Sequence, residues 1–242
     1  MKRLTDRVVL ITGAASGIGK AVAQRCLDEG AFVMGFSFED HCDIVDPHFG
    51  YVSGNVASVL DCQKSVQSAV ERFGKLDGLV HCAGITREGN LETTPFEVFK
   101  ETIETNVVGT FAMCQAAIPE LKKQPSTIVN ISSNMAIKPI PGRVAYNPSK
   151  AAVNMMTECI AIDYAPIVRA NTVMPGIIDT PMIQRRLATV SDPQALLKQY
   201  AALYPMQRIG QVDDIVNAVI FLSCDESSWI TGIHLPVCGG DR

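Results

Sequence analysis

The run Arg7-Val8-Val9-Leu10-Ile11-Thr12-Gly13-Ala14-Ala15-Ser16-Gly17-Ile18-Gly19 joins an apolar strand pattern to a glycine-rich turn. The stretch from Lys20 to Glu29 continues as a helix and is closed by Gly30. A strand with no polar alternation is expected to be covered on both faces, as in a parallel sheet. In that context the turn brings backbone N–H groups and a helix N-terminus to one point, where they can cradle a pyrophosphate. A glycine turn can also be a tight connection with no ligand, so the reading depends on the rest of the chain.

Working outward, further strands are expected at Ala31–Phe36, Gly50–Val56, Gly78–Gly84, Thr127–Val129, Ala170–Met174 and Gly232–Val237. Helices fall between them, from the Ser58 cap to Phe73-Gly74, from Pro95 to Leu121, from Tyr146 onward and from Asp213 to Leu222. Phe38 to Gly50 is too short for a helix and reads as a polar loop. Pro181 to Pro205 reads as a helical lid whose Met182, Ile183, Leu187, Leu196 and Leu197 could cover a substrate. The fold class is α/β, a doubly wound parallel sheet with helices on both faces, forming a single domain over residues 1–242.

Bulk properties narrow the function. The chain has 242 residues, is 47% hydrophobic and carries a formal net charge of -4, with no basic stripe for nucleic acid. Its charged start and the short apolar run behind it suit neither a signal peptide nor a membrane span. The eight cysteines lack paired spacing and read as small core residues in a reducing cytoplasm, not as disulfides or a zinc site. His41, Cys42 and His48 match no metal-ligand spacing, so no metal is expected.

Chemistry is concentrated in Asn130-Ile131-Ser132-Ser133 and Tyr146-Asn147-Pro148-Ser149-Lys150. The first run ends a buried strand, leaving Ser133 at its mouth. The second opens a helix, where Pro148 is tolerated in the first turn. Tyr146 and Lys150 then share a helix face. An ammonium near a phenol pulls its pKa down, which suits a general acid–base. Spacing of this kind also occurs as surface decoration, so it acquires meaning only in combination.

Thr12-Gly13-Ala14-Ala15-Ser16-Gly17-Ile18-Gly19, Ala83-Gly84, Asn106, Ser133, Tyr146, Lys150 and Pro175-Gly176 occur in that order. In this combination the chain resembles the short-chain dehydrogenase/reductase family over essentially its whole length. The resemblance implies seven strands and hydride transfer between a nicotinamide cofactor and a secondary alcohol or ketone, or a sugar. It implies that Tyr146 moves the hydroxyl proton, that Lys150 depresses its pKa and bonds the nicotinamide ribose, and that Ser133 holds the substrate oxygen. The Asn106 backbone carbonyl is expected to hold a water beside Lys150 in a proton relay. Expected cofactor contacts are Gly13, Ser16, Gly17, Ile18, Gly19, Ser37, Asn55, Val56, Cys82, Ala83, Gly84, Tyr146, Lys150, Pro175, Gly176, Ile178 and Thr180. Asn55 would accept from the adenine amino group, and Ile178 and Thr180 would meet the carboxamide.

Ser37 stands where NAD enzymes of the family commonly carry aspartate, and Phe38 where NADP enzymes commonly carry arginine. No cation is apparent for a 2′-phosphate, and Glu39 and Asp40 would repel one, so NAD is favoured over NADP. His81 and Cys82 depart from the family's Asn-Asn-Ala-Gly. His81 is expected to be a partly buried strand-end residue and not a base. Thr86, Arg87, Asn134, Met135, Ile140, Arg143, Asn147 and Ile177 are expected to line the substrate pocket. Asp163–Pro166 and Pro205–Gly210 resemble members acting on sugars. The apolar helix after Tyr146 and the family both imply a homo-oligomer, dimer or tetramer. A catalytically inert nucleotide-binding regulator on the same fold is the alternative.

Overall fold

Strand β1 (Val8–Thr12) is buried at every position in the computed structural model, which describes residues 2–241. Met1 and Arg242, the ends of the expected domain, lie outside the described residues. Alternation of side chains decides which face each residue serves. Val9 and Ile11 join one apolar cluster, and Val8 and Leu10 join the other. Both faces are therefore cores, which is why the strand reads as uninterrupted hydrophobe.

The sheet adds β2 (Phe32–Ser37), β3 (Phe49–Ser53), β4 (Gly78–His81), β5 (Ser126–Ile131), β6 (Val168–Pro175) and β7 (His234–Val237). Its order is β3-β2-β1-β4-β5-β6-β7, with every neighbouring pair parallel. Seven strands and the doubly wound Rossmann-like plan agree with the expectation. Helix α1 (Gly17–Asp28) and helix α8 (Val212–Ser223) supply one face. The other is covered by α2 (Val59–Phe73), α4 (Gly109–Leu121) and part of α5 (Tyr146–Tyr164). Between them in sequence, α3 (Phe96–Ile103) runs through a π-helical segment, Glu104–Val108, directly into α4.

Local chemistry explains several boundaries. The Ser58 hydroxyl accepts from the Asp61 N–H and opens α2, and Gly74, at φ 83°, closes it. Gln211 and Asp214 form a reciprocal capping box that starts α8 at Val212. Residues 38–48 contain no helix, as their length required. Two expected strands ran long at their C-terminal ends, whereas β5 and β6 extend beyond the expected residues on both sides. β3 stops at Ser53 because Asn55 turns the chain, and β4 stops at His81 before the small residues Ala83-Gly84. The expected lid consists of two helices, α6 (Pro181–Leu187) and α7 (Pro193–Ala202). Leu187 is buried, so it anchors the segment and does not cap a substrate.

Chain order reverses direction across the sheet at β1, which lies between β2 and β4. Loops leaving β1 and β4 therefore diverge, and a crevice opens at their carboxyl ends.

Candidate active site

The glycine turn lies on that crevice. Gly13 has φ 68° and Gly17 has φ 56°, both in the left-handed region that glycine tolerates. A Cβ on Gly19 would sit 2.2 Å from the Gly13 carbonyl oxygen, so the helix can approach the strand this closely only with hydrogen there. Ser16 precedes α1 without a side-chain cap, and the first turn holds no acid. The leading N–H groups are thus left for an anion, which fits a dinucleotide pyrophosphate.

The remaining expected contacts surround this turn. Ser37 Oγ accepts from Ala15 N at 3.0 Å, tying β2 to the glycine turn. Asn55 Oδ1 accepts from Ala57 N at 2.9 Å, so one lone pair of the expected adenine acceptor already serves its own turn. Val56 points into the core beneath Gly109, whose added Cβ would meet it at 2.9 Å, leaving just its backbone for a ligand. Thr180 Oγ1 donates to the Ile178 carbonyl at 3.2 Å and caps the start of α6 without bonding its N–H groups. Pro175-Gly176 ends β6, and Tyr204 accepts from Ile177 N at 2.6 Å beside it.

The loop 38–43 folds back toward the turn, with Cys42 Sγ 3.4 Å from the Ala14 carbonyl. Lys20 from α1 meets Asp43 at 2.7 Å. This cation near the turn was not foreseen, because the two residues are remote in sequence. It is occupied by Asp43.

At the end of β4, Thr12 Oγ1 accepts from Ala83 N at 3.0 Å and lies 3.0 Å from His81 Nδ1. His81 is buried, more deeply than expected, and its Nε2 has no partner among the described residues. Burial, with the Lys150 charge nearby, lowers its pKa to about 3, so it is neutral at pH 7 and a poor base. Burial likewise pushes the Cys82 thiol up to about 12. It is an inert small side chain.

The catalytic candidates converge from four segments. Ser133 follows β5, accepts from Met135 N at 3.1 Å and acts to lower the pKa of the Tyr146 phenol. Tyr146 and Lys150 lie one turn apart at the start of α5. Lys150 Nζ donates to the Ile131 carbonyl at 2.8 Å and lies 5.9 Å from the centre of the Tyr146 ring. A Cβ on Gly84 would be 3.2 Å from that amine and from Asn106 Oδ1, so the end of the β4 loop is pressed against the same site.

Two expectations need correction. The Tyr146 pKa is raised, because desolvation outweighs the opposing help of Ser133 and Arg143. Lys150 is bonded to a carbonyl and not to the phenol oxygen, and burial brings its own pKa down to about 8. Asn106 makes further bonds. Its carbonyl accepts from Thr110 Oγ1 at 2.7 Å. Its side chain accepts from Ile85 N at 2.8 Å and donates to Ile85 O and Ser149 Oγ, both at 2.9 Å. It pins the loop after β4 to α5 from within the π-helical segment.

Asn147 and Arg143, with Ile140, line a cavity of about 470 Å³ between the loop after β4 and the start of α5, and Tyr146 itself is not on its wall. The Asn147 amide donates to the Ile140 carbonyl at 3.2 Å, and its Oδ1 is unpartnered. Asn134 instead donates to Asp241 at 2.9 Å, and Lys138 pairs with the same carboxylate. Asp241 is therefore a brace for the 134–138 loop, which sequence spacing did not reveal. Asp163–Pro166 ends α5, away from the pocket, while Met206, Arg208 and Gly210 line a second cavity of about 340 Å³ behind Ile177.

Comparison with known proteins agrees with this geometry. A family profile described as enoyl-(acyl carrier protein) reductase matches residues 13–241. The chain is 37% identical to an uncharacterized oxidoreductase of Thermotoga maritima, covering 97% of this chain and 96% of that one. It is 36% identical to 2,5-dichloro-2,5-cyclohexadiene-1,4-diol dehydrogenase LinX of Sphingobium indicum, covering 98% and 97%. The ligand-free aldohexose dehydrogenase of Thermoplasma acidophilum superposes with a TM-score of 0.94 at 34% identity, covering 98% and 94%. Matched over nearly its full length by the family profile, by these relatives and by this structure, the chain belongs to the short-chain dehydrogenase/reductase family, oxidoreductases that use a nicotinamide cofactor on small molecules bearing CH–OH groups.

Proposed function

We propose that Tyr146 is the general acid–base of a hydride transfer at a secondary alcohol or ketone, or at a sugar hemiacetal. The observation carrying this is the placing of Tyr146 one helical turn from the buried Lys150 amine, 5.9 Å from the ring centre, with Ser133 at the mouth of β5, whose carbonyl at Ile131 holds that amine. The nicotinamide, when bound, supplies the hydride acceptor or donor. Ser133 holds the substrate oxygen, and Tyr146 takes its proton in oxidation and returns it in reduction. Lys150 contributes positive charge and a donor for a ribose hydroxyl. Asn106 acts through position, keeping Ile85 and Ser149 in register on either side of the site.

NAD is the preferred cofactor in this reading. Phe38 is exposed where a cation would meet a 2′-phosphate, and Lys20 is engaged by Asp43. The aldohexose dehydrogenase likeness makes sugars a reasonable part of a substrate panel. The protein assembles as a dimer or tetramer, a reading supported by exposed Val108 and Phe111 on the α3–α4 run and Met155 on α5. Eight free thiols suit the reducing cytoplasm, and among the described residues no helix is long and apolar enough to cross a membrane. We assign 181–205 to a lid over one domain.

The test is Tyr146→Phe. Turnover should fall by at least about a hundredfold, as for loss of a general acid–base, with NAD affinity nearly intact. Near-native turnover would remove the assignment. A wild-type protein that binds NAD yet oxidises no alcohol or sugar would instead favour the inert regulator.

A further inference from the structure

Three charged side chains from remote segments meet at Arg143, three residues before Tyr146. Glu88 lies on the loop after β4, Arg143 precedes α5, and Arg186 belongs to α6 of the lid. Arg143 Nη2 donates to Glu88 Oε1 at 2.9 Å, and Arg186 Nε lies 3.6 Å from the same oxygen. Backbone bonds hold two of these segments together. Gly89 N donates to the Gly142 carbonyl at 2.9 Å, and Val144 N donates to the Gly89 carbonyl at 3.2 Å. Arg143 is thereby fixed three residues before the phenol, on the wall of the 470 Å³ cavity.

The charges do not balance. Two guanidiniums share one carboxylate oxygen, although each fork can hold a carboxylate through two parallel bonds. The neighbouring Arg87 is taken by Glu101 at 3.0 Å. Glu92 is the acid on the cavity wall, and it is exposed to water, where its charge is screened. The Arg143 side chain is 20% exposed and its Nη1 donates to the Gly142 carbonyl at 3.3 Å, while Arg186 is 46% exposed, so its remaining donors are open to an incoming anion. The pair already holds a carboxylate, which identifies the group it accepts.

We propose that Arg143 and Arg186 form the anion site of the substrate pocket, and that the substrate is a small hydroxy acid or oxo acid. Its carboxylate joins or displaces Glu88 between the two guanidiniums while its carbinol or carbonyl group lies toward Tyr146. This specificity rests on the hydride-transfer reading above. Because Arg186 is on the lid, substrate charge also draws α6 toward the loop after β4.

Calorimetry on the full chain saturated with NADH tests the site, using pyruvate, acetoacetate and levulinate, each against its uncharged methyl ester. At least one acid should bind about tenfold more tightly than its ester, the contribution of one charge-assisted hydrogen bond. Arg143→Gln and Arg186→Gln should each erase that preference, and Glu88→Gln should strengthen acid binding severalfold. Equal binding of every acid and ester, or a preference unaltered in both arginine variants, overturns the anion site. If no acid binds, the site is likewise refuted, while reduction of NAD with neutral alcohols still judges the hydride chemistry. A wild-type chain that binds no nicotinamide refutes both.

Discussion

The two sides of the crevice are built on different principles. On the β1 side, recognition is carried by backbone: Gly13, Gly17 and Gly19 allow a helix start to press against a strand end, and the groups offered are N–H donors. On the α5 and lid side, the groups offered are side chains, Arg143 on a loop, Asn147 on α5 and Arg186 on α6, placed by hydrogen bonds and ion pairs. A backbone cradle tolerates almost no added atom but is indifferent to most nearby side chains. The loop side tolerates atoms and responds to charge. This division lets one scaffold keep its cofactor while the substrate changes.

Gly19→Ala is the harshest challenge to this contrast. The new Cβ meets the Gly13 carbonyl oxygen at 2.2 Å, backbone against backbone, so α1 must move off β1. NAD affinity should fall by more than about a hundredfold, measured by calorimetry, because pyrophosphate donors move with the helix. Retained affinity would show that the cradle is looser than its geometry.

A pH comparison probes the hinge between the two sides. The Lys150 pKa falls from 10.5 to about 8 on folding, so between those values the unfolded chain binds more protons than the native one. Stability contributed by this group therefore rises with pH through the window from about 8 to 10.5. Against Lys150→Met, wild-type melting temperature should gain as pH rises there; a constant difference would place the amine in a more polar setting. Phe38→Arg supplies the absent cation and should raise NADP affinity relative to NAD by about tenfold in a titration. Gly142→Ala completes the contrast. Its Cβ would enter open space, though at φ 71°, so the cost is confined to about 1 kcal/mol of backbone strain in a denaturant melt, with NAD affinity unchanged.

Legibility followed the same division. Strands, caps and the glycine turn were readable because each is determined by neighbours in sequence: Ser58 and Gly74 delimit α2 by local hydrogen bonds alone. Ser133, Tyr146 and Lys150 were readable as a set through their order and spacing. The electrostatics were not. Tyr146 was expected to be acidified, yet desolvation by the packed site dominates. The Asn106 side chain braces Ile85 and Ser149, a role additional to the one expected of its carbonyl. Neither outcome has a signature in residue spacing. Asp241 bracing Asn134 and Lys138 spans more than 100 residues, and no local pattern announces it.

The sequence by itself determined the α/β plan, the position of the glycine turn and the choice of Ser133, Tyr146 and Lys150 as the candidate set. Those depend on periodicity, glycine conformation and residue chemistry, which are carried within a few positions of the chain. Tertiary structure alone decided the protonation balance of Tyr146, Lys150 and His81, and brought Glu88, Arg143 and Arg186 together. Desolvation and Coulomb interactions depend on distance in space, and only folding sets those distances.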